Sequence, residues 1–293
     1  MKKIILGLFL FASLGINAQI LNVKITTKVD VPEGVNVSTA QLSHDGTWAV
    51  ISHKSGPGLD KIDLSTRQLT RISDTGLGFD LKITGDDQIV IFRESSYDVD
   101  QRRYTTLKSV NVTTGALSVI SPSTRDTHTF ANDAHKALNA NTGSLTREIS
   151  HPVVSINRGS MYVTHNGMTT LVAPQGTEGQ SYLWPQVSPD GTKILYFVVG
   201  QGCFVCNIDG SNSVPQGVLR ASVWYDDNII VGMDHQDDGR VTTSSKLIAK
   251  NINNSSTQVL TDTNVKAMYP STGTNSISFV TPEGELYIIN VSK

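Results

Sequence analysis

The chain has no block of basic residues. Its 24 Lys and Arg are scattered among 26 Asp and Glu, for a formal net charge of −2. Nucleic-acid binding rests on clustered Lys and Arg that displace counterions from phosphates, so that partner is excluded. No polybasic cluster or amphipathic helix argues for a membrane surface. The longest apolar run, Ile4–Leu14, is well short of the ~20 residues of a spanning helix. No two histidines stand as H-x-H or H-E-x-x-H, so local spacing offers no metal site. There is no G-x-S-x-G elbow for a serine hydrolase. Cysteine is scarce as well. Cys203 and Cys206 lie in the apolar run GQGCFVCNIDG, which reads as a strand. Residues three apart on a strand are separated by about 10 Å and point to opposite faces. A disulfide needs Cα atoms within about 7 Å, so two buried free thiols are expected.

Present instead is an export signal. Lys2 and Lys3 precede the apolar stretch, and Ile16-Asn17-Ala18 offers a small residue at a cut before Gln19. No cysteine lies at that cut to carry a lipid anchor. The expectation is a cleaved signal peptide over residues 1–18, no membrane insertion after cleavage, and a periplasmic or secreted chain over 19–293. Cleavage removes two of the 24 basic residues and leaves 22 against 26 acidic, a net charge of −4.

The remaining chain repeats itself. WPQVSPDGTKILYF (Trp184–Phe197) has a clear partner in AQLSHDGTWAVIS (Ala40–Ser52), and weaker copies begin at Asp80, Pro152, Ala221 and Met268. Each copy reads as a short strand, a tight turn and a second apolar strand. Asp190-Gly191 and Asp45-Gly46 are hairpin signals because glycine accepts positive φ, and Pro189 suits the first central turn position. The second strands are continuous apolar runs such as Ile194–Phe197 and Ile89–Phe92, which predicts sheets covered on both faces. A third strand follows in each unit, then a polar turn and a short fourth strand. Four antiparallel strands repeating at about 33 to 47 residues predict an all-β, six-bladed β-propeller. The last unit ends after its third strand, while Gln19–Val31 precedes the first unit without a partner. Ring closure accounts for both: the N-terminal strand completes the last blade. The interval from Ile83 to Ser155 is too long for one blade. Residues 125–150, with a helix-compatible piece at Asp133–Ala140, are expected to form an insertion within this single domain, a degenerate seventh blade being the alternative.

These units resemble the TolB-like (WD40-like) propeller repeat. The fourth unit matches its core at Pro185, Ser188, Pro189, Asp190, Gly191 and Ile194, and the first at Ser43, Asp45 and Gly46, with His44 in place of the proline. The other four match by pattern only. The resemblance implies an exported bacterial propeller, in a family whose members are often protein-binding scaffolds.

Site candidates come from the starts of the first strands, which line a propeller's channel: Asp80, His151, Trp184, Arg220 and Tyr269, with Thr39 in the first unit. His151, Trp184 and Tyr269 precede proline, which predicts an extended conformation that presents each side chain. Trp, Tyr and Arg are the usual anchors of interfaces. His44 is expected to be solvated. Asp234, Gln236 and Asp238 open like a calcium loop, but Ser245 replaces the bidentate glutamate, so DHQDDG reads as a solvated loop, matched by Arg93–Arg103 in the second unit. No cofactor is expected. The leading expectation is a monomeric, non-enzymatic scaffold that binds an envelope protein or peptide at the channel mouth. The alternative is a carbohydrate-active or other small-substrate enzyme, a lyase or hydrolase, using His151, Asp80 and Arg220 from separate blades.

Overall fold

A computed structural model describes residues 19–54, 56–74, 77–125, 152–157, 159–166, 168–262 and 264–293. It is all-β. Strand β1 (Asn22–Val29) is followed by blade one: β2 (Val37–Leu42), β3 (Trp48–His53), β4 (Leu59–Asp63) and β5 (Leu69–Ser73). Blade two comprises β6 (Leu77–Ile83), β7 (Ile89–Tyr97), β8 (Arg103–Asn111) and β9 (Leu117–Thr124). Blade three has β10 (Val153–Asn157), β11 (Ser160–His165) and β12 (Met168–Val172). Blade four has β13 (Tyr182–Val187), β14 (Lys193–Val198), β15 (Gly202–Asn207) and β16 (Val214–Gly217), and blade five β17 (Arg220–Trp224), β18 (Ile229–Asp237), β19 (Thr242–Asn251) and β20 (Thr257–Val259). Blade six contains β21 (Met268–Gly273), β22 (Ser276–Val280) and β23 (Leu286–Ser292).

Each blade is an antiparallel sheet in chain order, and β1 is the outer strand of blade six, paired with β23 from Asn22↔Ser292 to Val29↔Leu286. The chain thus closes its own ring. The one departure from four strands is blade three, which has three among the described residues. Its link to blade four, from Ala173, is tied down where the Tyr182 hydroxyl donates to Gly176 O (2.8 Å) and accepts from Gln175 N (3.0 Å). The expected insertion at 125–150 and its helical piece lie outside the described residues, Arg125 apart.

The Ser-x-Asp-Gly turns explain how the repeat folds. Ser188 Oγ donates to Asp190 Oδ1 (2.5 Å) and accepts from Lys193 N, while Thr192 N donates to the same carboxylate (3.0 Å). Gly191 N closes the turn on Ser188 O, at φ +75°. Burial pushes the Asp190 carboxyl up, but the hydrogen bonds from Ser188 and Thr192 and the Lys193 charge outweigh it and hold it at about 2. Ser43/Asp45 and Thr84/Asp86 repeat the arrangement. Successive turns also latch: Asp87 accepts from His44 N and Asp45 N, Asp227 from Asp190 N, and Thr274 Oγ1 donates to His44 O. His44 is exposed, as expected, and its ring bonds Asp87 (2.9 Å). Gly46 sits at φ +74° where a Cβ would lie 2.7 Å from Ser276 Oγ.

The apolar second strands are buried on both faces, as in β3, β18 and β22. The thiols illustrate this. Cys203 packs with Leu219, Trp224 and Ile230 toward blade five, and Cys206 with Val154 and Met161 toward blade three. Both are free and buried. Burial pushes them up to about 11 and about 12 respectively, so little thiolate exists at neutral pH. Among the described residues no helix is long and apolar enough to cross a membrane.

Candidate functional site at the channel mouth

The first strands stand around the axis and bond to one another: Leu42 N to Ser271 Oγ, Thr272 Oγ1 to Trp224 O, and Trp224 Nε1 to Gln186 O. Register fixes which face carries which loops. The start of each first strand pairs with the end of the second, as in Tyr182↔Val198 and Leu77↔Ser95. First-strand starts and second-to-third hairpins therefore share one face, and the Ser-x-Asp-Gly turns occupy the other.

On the hairpin face, four first strands carry the same defect. Two residues oppose one at Asp80-Leu81, Trp184-Pro185, Ala221-Ser222 and Tyr269-Pro270. Bulges of this kind re-aim side chains. Trp184 and Tyr269 have φ +51°, which corrects the extended conformation expected ahead of proline. The bulge, not the proline, sets their backbone. Ala221, also at positive φ (+46°), is the blade-five equivalent, so Arg220 stands one residue before the aligned position. Blade one bulges one residue earlier, at Ser38, and Thr39 is paired and bonded to Ser52 Oγ (2.8 Å). His151 lies outside the described residues, and Asp80 is placed here by its backbone alone.

Trp184 (46% exposed) and Tyr269 (43%) present large aromatic surface, with Trp184 against the Phe197 ring at 5.4 Å. Between them in blade order, Arg220 and His235 both approach Asp237 Oδ2 at 3.6 Å, and His235 Nδ1 is buried with no hydrogen-bond partner. No hydrogen bond, ion pair or ring contact joins Trp184, Arg220 and Tyr269 to one another among the described residues. A narrow crevice between blades four and five is lined by Trp184, Phe197, Cys203, Leu219 and Ser222 among others.

Two expected loops are strands. Asp234–Asp237 belong to β18, and Arg93–Tyr97 to β7, so blades two and five raise long hairpins on this face. Asp238 turns its carboxylate onto the amides of Arg240 and Val241, and those bonds hold it below the usual carboxylate range. Asp234 and Gln236 lie on the strand, and no group of three or more His, Cys, Asp or Glu among the described residues could hold a metal ion.

The two faces differ sharply. Tyr97, Val99, Val199, Val218 and Val241 are exposed on the hairpin face, as are Trp184 and Tyr269. The other large exposed apolar side chains, Ile25, Leu117, Val119, Met168, Leu171, Val214 and Val259, lie on outer strands. None is in a turn of the opposite face among the described residues.

Sequence reasoning missed one polar cluster on the same face. His53 Nε2 and Arg71 Nε approach the two oxygens of buried Asp60 at 2.6 and 3.0 Å. Ser73 Oγ lies 3.4 Å from Glu94, which pairs with Lys108 at 2.6 Å, extending the polar belt into blade two.

No family model matches the chain, and no curated protein matches it either. Among solved structures it is similar to the Cps50 (Swd1) β-propeller domain of Myceliophteria thermophila, with a TM-score of 0.55, 8% identity, and coverage of 92% of this chain and 100% of that one. An oligogalacturonate lyase of Vibrio parahaemolyticus covers 89% of this chain and 80% of its own at 16% identity, with a TM-score of 0.47. An oligogalacturonate lyase in complex with manganese has the same TM-score and identity, over 79% of its own chain. The likeness to the Cps50 domain establishes a β-propeller fold and nothing about its task.

Proposed function

We propose that this protein is a non-enzymatic, exported scaffold of the TolB-like kind that binds a protein or peptide of the cell envelope on the hairpin face, at the channel mouth. The observation that carries this reading is the confinement of exposed apolar loop residues to that face. Exposed apolar side chains gathered on one face suit an interaction surface, and Trp and Tyr are enriched among binding anchors. The backbone adds support. Positive φ at a bulky residue costs of order 1–3 kcal/mol and clusters at functional sites, and here it recurs at Trp184 and Tyr269. The shared Ser/Thr-x-Asp turns of blades one, two and four support the family relationship.

The test is capture from envelope extract with the immobilised Gln19–Lys293 chain. A specific partner is expected, with loss of capture in the Trp184→Ala/Tyr269→Ala double variant at unchanged thermal stability. Undiminished capture by that variant would remove the channel mouth from the reading.

A further inference from the structure

Among the described residues, every outer strand of the ring but one carries a device that blocks pairing with another chain. Exposed strand edges offer free N–H and C=O groups, and proteins guard them with charges, proline, bulges or brevity. β1 has Lys24 and Lys28 and a bulge between Val23 and Ile25. β5 has Arg71, β9 has Pro122 and register shifts, β16 has Pro215 and four residues, and β20 has three. β12, with sequence MTTLV, has none of these: no charge, no proline and an unbroken register along β11. No Asp, Glu, Lys or Arg occurs from His165 to Thr177. Met168 and Leu171 are exposed on it, while Val172 enters the core.

The free backbone groups can be named. His165 pairs with Met168 across a two-residue turn, and the pair flanking such a turn is hydrogen-bonded. Alternation then makes Thr164 and Thr169 a close, non-hydrogen-bonded pair, which their 2.9 Å hydroxyl contact bears out. The N–H and C=O of Thr169 and Leu171 therefore point away from β11. No described residue pairs with them, whereas the third strand of each of the other blades is covered by a fourth.

We propose that β12 is a homodimerisation edge, paired antiparallel with β12 of a second copy about a two-fold axis at Thr170. That register sets Thr169 opposite Leu171 of the second copy, and its mirror image does the same, so all four outward pairs of donors and acceptors are satisfied. Met168 meets Val172, and Thr170 meets its own equivalent. No charge faces a like charge, a condition that the Lys or Arg on β1 and β5 would break. Because the other outer strands are guarded, the contact is isologous and closes at two copies. Five paired residues bury little area, so association is weak and reversible. The dimer edge is independent of the channel mouth and revises the monomer expected from sequence.

Sedimentation equilibrium of Gln19–Lys293 from micromolar to several hundred micromolar is expected to show mass rising from one chain to two. Thr170→Lys sets two ammonium groups opposite each other and is expected to weaken association about tenfold or more. Thr170→Cys is expected to give a disulfide-linked dimer on diamide oxidation, and Thr169→Cys far less, because the axis passes through residue 170 only. Native Cys203 and Cys206 are buried and do not compete. A chain that stays monomeric throughout, or Thr169→Cys cross-linking as fast as Thr170→Cys, overturns the proposal. So does slow exchange of the Thr169 and Leu171 amides in a dilute monomer, which would mean the edge is already paired within the chain.

Discussion

A chain beginning at Val31, without β1, is expected to lose the cooperative fold rather than a fraying end. β1 supplies the whole outer ladder of blade six, from Asn22↔Ser292 to Val29↔Leu286. It also buries Val29 (1% exposed) in the core, and the residue just before it, Leu21, is fully buried between blades five and six. The lead-in is stapled to blade five: Ile20 N and Leu21 N donate to Gln258 Oε1, and Gln258 Nε2 donates to Leu21 O. Burial of Leu and Val contributes about 1.5–3 kcal/mol each, and each ladder bond about 0.5–1.5 kcal/mol. Their sum rivals the 5–15 kcal/mol that holds a typical domain together. The truncated chain should show no cooperative urea transition, and a synthetic Gln19–Val31 peptide added in trans should restore one. A two-state transition of unchanged midpoint without β1 would contradict the closure.

Replacing Asp60 by alanine is expected to destabilise blade one. The carboxylate is 5% exposed and receives two partners, the His53 ring at 2.6 Å and the Arg71 guanidinium at 3.0 Å. Removing the carboxylate strips the mostly buried His53 ring of its hydrogen-bond partner, which costs about 1–3 kcal/mol, while the half-exposed Arg71 guanidinium can turn to water. Arg71 also donates to Pro57 O (3.0 Å), so its guanidinium holds the hairpin between β3 and β4. Chemical denaturation should show a midpoint drop of this order for Asp60→Ala, and a smaller one for His53→Ala, which leaves Arg71 on the carboxylate. A double-mutant cycle between Asp60 and Arg71 should show coupling. Equal, small losses in all three variants would mean that the cluster is solvated and structurally idle.

Fold and site were unequally legible in the sequence. The turns were plain because their chemistry is local: Ser, Asp and Gly within four residues satisfy one another's hydrogen bonds, so Ser188–Gly191 could be placed without knowing what lay across the sheet. Continuous runs such as Ile194–Phe197 announced two covered faces, and the unpartnered Gln19–Val31 announced closure. The bulges were invisible. Trp184 and Tyr269 adopt positive φ because two residues must oppose one on the neighbouring strand, a fact of register that proline after each residue did not reveal. For the same reason the spacing points to Arg220 where the bulge places Ala221. DHQDDG looked like a loop because polar residues dominate it, yet Asp234–Asp237 pair with β19 as a strand that projects into water. The His53–Asp60–Arg71 cluster gave little sign, since its members come from three strands and no short motif unites them.

Native-state hydrogen exchange along β1 tests ring closure most directly. If the N-terminal strand locks blade six, the amides of β1 that bond to β23 should open only with global unfolding, at the same free energy as core amides of β3 and β22. Exchange of those amides at the rate of an unpaired terminus, while β22 and β23 remain protected, would show that the ring is not closed by its first strand.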